Sequence, residues 1–451
     1  MSEWPILKLE DYPVEIIDGD RGAEYPKKAD FTPAGYCLFL NAGNVTADGF
    51  AFDQCAFISE ERDRKLRKGR LLRNDTVVTT RGTVGNFAFY GPTVQYANVR
   101  INSGMVILRP DLNKLLPRFF YFAVRSPSFD KQIKSLTSGS AQPQLPIRDM
   151  RKLHLPLPPI EEQRRIVEVI GSLDDKIELN RRMNETLEAM AQAIFRDWFV
   201  DFGPTRRKLE GASDPFEIMG GLVTDVERAQ ALADLFPIRL GDNGLPEGWR
   251  EAEVASVVTL LKRGIAPSYC DDGVLVINQK CIRGKAVNFT LARRHDVAKR
   301  APKERALEKD DVLVNSTGVG TLGRVATVRG LKEAATVDSH VTICRADASK
   351  ISKLILSLFM EDKQSLIETL GHGSTGQTEL NAASLGGLVV TVAPKSLQSA
   401  FDEVVGPLRD LVTCNSDQSG TLAATRDILL PKLMSGEIRL QEADEVLEAA
   451  Q

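Results

Sequence analysis

Two runs of cations stand at similar places in the two halves of the chain. One is Arg62-Asp-Arg-Lys-Leu-Arg-Lys-Gly-Arg, which carries Lys65, Arg67, Lys68 and Arg70. The other is Arg293-Arg-His-Asp-Val-Ala-Lys-Arg-Ala-Pro-Lys-Glu-Arg, which carries Arg300, Lys303 and Arg305. Side chains of this kind neutralise phosphates, and arginine also forks onto base edges. A charge run can equally be a solvated face. Two glycine turns, Arg81-Gly-Thr-Val-Gly and Gly320-Thr-Leu-Gly-Arg324, are small enough for backbone to approach a phosphate or simply to reverse a strand. Two Ser/Gly loops each keep a glutamine, Ser138-Gly-Ser-Ala-Gln142-Pro-Gln144 and Gly373-Ser-Thr-Gly-Gln377-Thr. An amide donates and accepts, so it suits base readout or a tie to an adjoining helix.

No segment supplies covalent chemistry. The chain has no Asn-Pro-Pro-aromatic segment for adenine methylation and no Gly-x-x-x-x-Gly-Lys-Ser/Thr phosphate loop. Gly318-Val-Gly-Thr-Leu-Gly matches a dinucleotide pattern, but Arg324-Val-Ala-Thr-Val after it reads as a strand, where such a site needs a helix. Asp338-Ser-His340 is contiguous, whereas acid–base triads are assembled from separated positions. Six scattered cysteines and four histidines indicate neither a disulfide framework nor a zinc site.

These residues sit in a chain written twice. A shift of about 235 residues puts Gln142 on Gln377, Leu145 on Leu380, Pro159 on Pro394, Leu173 on Leu408, Asn180 on Asn415 and Leu187 on Leu422. Trp4, Gly19, Asn41 and Asp75 pair with Trp249, Gly264, Asn278 and Asp311 at slightly different shifts. The period is far too long for a solenoid and predicts a duplicated domain. Short apolar runs between Gly, Asn and Asp turns predict strands in residues 1–158, around one helix after Pro117. Residues 245–393 repeat the pattern, with a helix at about Ile351–Met360.

Each lobe ends at prolines and passes into a long helix, over residues 159–202 and 394–438. Ile166, Leu173, Asn180 and Leu187 recur every seven residues, with Ile177 on the adjacent seam. Phe401, Leu408, Asn415 and Leu422 repeat that spacing. Such heptads predict a coiled coil, and an intervening lobe lets the two helices pair antiparallel. A helix of about 38 residues is about 57 Å long, on the order of 15 base pairs. Asn180 and Asn415 would fix the register from inside the seam. Residues 203–244 read as a linker, and 439–451 as an acidic tail.

The net charge of −3 hides a segregation. Residues 1–159 carry 22 cationic and 17 acidic side chains, and residues 245–393 carry 20 and 17, so acid is concentrated in the helices, linker and tail. Local sign decides what a polyanion meets, and both lobes are basic. No apolar run approaches a membrane span and the N-terminus lacks signal-peptide regions, so a cytoplasmic protein with no membrane association is expected.

Leu155-Pro-Leu-Pro-Pro-Ile-Glu-Glu-Gln-Arg-Arg-Ile-Val and the helix through Arg196-Asp-Trp-Phe-Val-Asp-Phe closely resemble the central region of type I restriction–modification specificity subunits. Leu429-Leu-Pro-Lys-Leu-Met-Ser-Gly-Glu-Ile resembles their distal region. The resemblance implies an α+β protein with two target recognition domains (1–158 and 245–393), joined by two long helices in an antiparallel coiled coil. Each domain would read half of a bipartite double-stranded DNA site. It also implies two methyltransferase partners that bind S-adenosylmethionine and methylate adenine, and translocating endonuclease subunits that use ATP and Mg. This chain would then hold no cofactor and catalyse nothing. The aromatic cluster Phe195, Trp198, Phe199 and Phe202 exceeds what a two-helix seam needs, and some of it is expected to face a methyltransferase or cap the lobe junction. The rival reading is a scaffold whose duplicated lobes bind protein or carbohydrate.

Overall fold

The computed structural model describes residues 4–52, 54–139, 142–318, 320–371 and 379–438. They fold as two compact units, one drawn from residues 1–179 with 418–451 and the other from 180–417. Each unit is an α+β lobe packed on antiparallel helix segments.

In the first unit a four-stranded antiparallel sheet runs in the order Val14–Asp18, Met105–Pro110, Thr76–Thr79, Phe87–Phe89. Its alternating side chains serve two cores. Val78, Val106 and Leu108 join the helix Pro117–Val124, while Val77, Met105 and Ile107 join Leu38, Leu40, Val99 and Ile101. Burial on both faces explains why these strands read as unbroken apolar runs. The second core belongs to a smaller sheet of Phe57–Ile58, Cys37–Leu40 and Val99–Ile101, whose last two strands are parallel. Ile6–Lys8 pairs with His154–Pro156, which ties the N-terminal strand to the entrance of the long helix.

The second unit repeats this plan. Its main sheet runs Val258–Arg263, Val341–Ala346, Val312–Asn315, Val325–Thr327, and Arg250–Glu253 pairs with Val389–Val392. Val274–Ile277 and Ala335–Val337 form the parallel pair of its second sheet. Asp75–Arg109 and Asp311–Arg345 are corresponding ion pairs, each at 2.8 and 2.7 Å respectively. Gly19 and Gly264 are both obligatory, because a Cβ there would strike the carbonyl of Asn102 or of Val337.

The long helices run over Ile160–Phe199 and Lys395–Ser435. In the first unit Asp174 pairs with Arg426 at 2.7 Å, and Ile166, Leu173 and Leu422 are buried, with Ile177 packed beside them. In the second unit Leu187 and Phe401 are buried and Leu408 packs against the same core. Asn180 and Asn415 lie inside this seam, 1% and 7% exposed. Asn180 Nδ2 donates to the Asn415 carbonyl at 3.3 Å, and Asn415 Nδ2 donates to Asn184 Oδ1 at 2.9 Å. A slip of register would strand these amides among leucines. Two glutamines fasten the helix starts to their lobes. Gln163 accepts from Leu116 N and donates to Pro158 O, as Gln398 accepts from Ser352 N and donates to Ala393 O.

Residues 203–244 correct the reading of a linker. They form helices Gly203–Leu209, Pro215–Ile218 and Val226–Asp234, and Ile218, Met219, Leu232, Ala233 and Phe236 are buried in the second unit's core. A short helical pattern at Val223–Phe236 is legible in the sequence and contains the helix Val226–Asp234, but the other apolar residues are short, separate patches, so the packing of the whole segment is not.

Candidate nucleic-acid interface

In the first unit three separated segments meet along one rim. The basic run begins as the helix Glu60–Lys65, N-capped by Ser59, and continues as a loop through Arg70. Two buried groups shape that loop. Asp20 accepts the backbone N–H groups of Arg67 and Lys68 at 2.7 and 3.3 Å. Arg100, 4% exposed, donates to the carbonyls of Asp63, Leu66 and Lys68 at 2.7–3.1 Å and ion-pairs with the buried Asp63 carboxylate. With these backbone groups held from beneath, the Arg67 and Lys68 side chains are exposed.

The strand end at residues 101–104 connects this loop to the next segment. Ile101 N donates to Gly69 O at 2.9 Å, and Thr80 N donates to Gly104 O at 2.8 Å. Beyond Thr80, Arg81 forms a backbone bridge with Gln144, Gly82 N donates to Pro143 O, and Leu145 N donates to Thr80 O. The turn at Arg81 and the loop carrying Gln142 and Gln144 are therefore one corner. Arg81 and Gln142 are exposed there and Gln144 is half-buried. Backbone hydrogen bonds between Ser138 and Gln144 close the loop at 2.9 and 3.0 Å.

The second unit has the same corner with different side chains. Leu380 N donates to Ser316 O, Ser316 N donates to His340 O, and Thr317 bridges Glu379. Thr317 stands where the first unit has Arg81, Glu379 where it has Gln144, and His340 where it has Gly104. Thr317 Oγ1 lies 2.8 Å from His340 Nδ1, and Gln279 Nε2 donates to Thr317 O at 2.6 Å. Sequence reading misses Gln279 and weighs His340 only as part of the contiguous Asp338-Ser-His340, because only the fold brings the two residues to this turn. Gln377 falls outside the described residues. Gly318 and Gly323 sit in the reversal between Val312–Asn315 and Val325–Thr327, with no helix after them.

The two basic runs occupy corresponding places. Arg70 bridges Arg100, and Ala306 bridges Thr336 at the same point of the fold. Their cations are not equally free. Lys65 pairs with Glu61 on the surface, a weak tie that a phosphate can replace. Arg70 holds the buried Asp63 and Asn98, and Arg305 Nε donates to Arg263 O at 2.9 Å. Arg324 turns back onto Gly320 O at 2.8 Å, and Arg300 reaches Ala266 O at 3.5 Å. Lys303 is exposed on a left-handed backbone, φ 53°.

The aromatic cluster requires a correction. Trp198, Phe199 and Phe202 are 1%, 3% and 9% exposed, packed edge to face or tilted on Phe236, Trp249 and Phe401 in the second unit's own core. They are buried inside this chain in a core shared with Trp249, Ala252 and Val254 of the second lobe, in keeping with the capping alternative, and so deeply that they offer little surface to a partner. The folded segment 203–244 and Trp249 consume the aromatic surface that looked surplus in a two-helix seam.

Among the described residues no helix is long and apolar enough to cross a membrane. Residues 1–189 match the family model described as the type I restriction modification DNA specificity domain. The chain is 25% identical to the Type I restriction enzyme HindI specificity subunit of Haemophilus influenzae, over 97% of this chain and 100% of that one. It is 22% identical to the Type I restriction enzyme MjaIX specificity subunit of Methanocaldococcus jannaschii, over 98% and 95%. A crystal structure of the type I restriction–modification S subunit from M. genitalium aligns over 96% of both chains, with a TM-score of 0.48 and 15% identity.

Proposed function

We propose that this chain is the DNA specificity subunit of a type I restriction–modification complex, on the match of residues 1–189 to the type I restriction modification DNA specificity domain and on the repetition of that fold in the second unit. It recognises a bipartite site, each unit reading one half. One observation carries this reading. The same backbone corner recurs in both units, but it displays Arg81 and Gln144 in one and Thr317, Glu379 and His340 in the other. Identical scaffolds with unlike polar side chains suit two different short sequences.

The chain positions chemistry that its partners perform. Two methyltransferase subunits bring S-adenosylmethionine and methylate adenine, and endonuclease subunits bring ATP and Mg. The complex works in the cytoplasm. Affinity for duplex DNA should fall steeply with salt, because each phosphate met by Lys or Arg releases counterions, with a slope of about −0.9 per contact. Filter binding or anisotropy across roughly 50 to 200 mM salt reads this directly. A salt-independent affinity, or none for duplex DNA, sinks the reading.

Arg81→Ala should weaken selection of the first unit's half-site by about 1–3 kcal/mol and leave the other half-site unchanged. Methylated-motif sequencing from cells carrying the variant would show degenerate positions in one half only. Equal relaxation of both halves, or of neither, removes Arg81 from base reading.

A further inference from the structure

The corresponding hairpins of the two units differ in charge, and the difference points to an additional contact. In the first unit Asn41 caps a short turn that leads into the hairpin Val45–Thr46 with Gly49–Phe50, closed by Ala47 and the exposed Asp48. In the second, Asn278 caps the same turn and the hairpin is Ile282–Arg283 with Ala286–Val287. Residues 42–50 carry one acidic and no basic side chain, whereas residues 279–287 carry Lys280, Arg283 and Lys285 and no acid.

Three features set the second hairpin apart from a solvated charge run. Its root is rigid: Cys281 and Ile282 are fully buried, Val287 packs on the same core, and Asn288 N donates to Cys281 O at 2.8 Å. Lys280 and Arg283 are exposed, and among the described residues none of the three cations lies within 4.0 Å of a carboxylate, although Lys285 is half-buried beside Ala326 and its charge also reaches Glu188. Its tip is held in an unfavourable way. Gly284 and Lys285 both have positive φ, 58° and 61°, as a tight two-residue hairpin requires. The favoured residue at the second of these positions is glycine, yet a lysine stands there. Gln279, at the start of the hairpin, also bonds the Thr317 corner, so the exposed Lys280 and Arg283 and the half-buried Lys285 sit on an element fastened to the candidate reading site.

We propose that Lys280, Arg283 and Lys285 form a phosphate clamp on the duplex backbone, present in the second unit and lacking in the first. The proposal rests on the DNA-reading assignment. The clamp carries no sequence information. It adds to the salt sensitivity of the hold on the second half-site.

Lys285→Gly is the decisive variant, because glycine relieves the left-handed backbone while deleting the cation. The chain, assembled with its methyltransferase partner, is titrated with a 40-base-pair duplex bearing its own motif at a series of salt concentrations. Wild type must first bind with salt-dependent affinity; if it does not, the DNA-reading assignment itself fails. Given that, K285G is expected to flatten the log–log salt slope by about 0.9, and the triple variant K280A/R283A/K285G by up to about 2.7. The methylated motif stays the same, and thermal stability is unchanged or raised in K285G. An unchanged slope in both variants overturns the clamp. So does weaker binding without a change of slope, or a lost methyltransferase subunit, which would make the hairpin a protein contact.

Discussion

Replacing Arg100 with alanine is expected to destabilise the first unit by about 3–5 kcal/mol and to weaken its hold on DNA with it. The guanidinium is enclosed, at 4% exposure, and answers the Asp63 carboxylate, which is fully buried. Deleting it leaves that carboxylate beside Arg70 alone, and leaves three carbonyls of the basic run without their shared donor. Lysine does not rescue the site, because one ammonium cannot serve a carboxylate and carbonyls of Asp63, Leu66 and Lys68 in a planar fork. The double variant Asp63→Leu, Arg100→Met should recover much of the stability, since it removes both buried charges. Denaturant unfolding of the three variants checks this. A loss below about 1 kcal/mol for R100A would mean that the loop is held by something else.

Glu361→Ala should have an effect of similar size in the second unit, about 3–5 kcal/mol. Glu361 is 4% exposed and accepts from Arg409 at 2.7 Å, from Thr327 at 3.0 Å and from Arg329 at 3.3 Å. Arg409 comes from the second long helix and is itself 5% exposed, and Glu188 of the first long helix lies 3.6 Å from Arg329. Burial pushes the Glu188 carboxyl above its ordinary range, against the pull of Arg409 and Arg329. It lies 3.6 Å from Arg329 and 4.0 Å from Arg409, beyond hydrogen-bonding distance, so removal of Glu361 leaves both guanidiniums without their close acceptor. Glu361→Gln keeps the hydrogen-bonding shape without the charge and should fall between wild type and alanine. Equal stability of E361A and wild type would show that the network contributes nothing net.

Much of this architecture was legible because it is periodic. Thr76–Thr79, Met105–Pro110 and Val312–Asn315 announced themselves as apolar runs between turn residues, and Pro117 marked the start of its helix. The heptads placed Asn180 and Asn415 in the seam, where the amides do bond each other's helices. The second long helix continues through Gly406 and Pro407, two residues that disfavour a helix interior, because Phe401, Val405 and Val412 are buried on either side.

What escaped reading depends on contacts between distant positions. Arg100 looks like an outward residue in Val99-Arg-Ile, and nothing local says that Asp63 and the carbonyls of the basic run enclose it. Trp198 and Phe199 looked surplus only because the packed segment 203–244 was read as a linker. Of the interface candidates, the fold brings Arg81, Gln142 and Gln144 to one corner, while Arg70, Arg305 and Arg324 hold other atoms of the chain. Residue type gave the chemistry available; partner geometry decided which cations stay free.

The most direct test of the central claim is methylation mapping of DNA from cells that contain the whole system, with and without this chain. A specificity subunit with two unlike readers predicts that one gapped adenine motif, with two different halves, disappears when the chain is removed and returns when it is restored. Carrying Arg81→Ala, the restored chain should degrade one half of that motif and leave the other intact. An unchanged methylome, with the partner subunits expressed, would contradict the account.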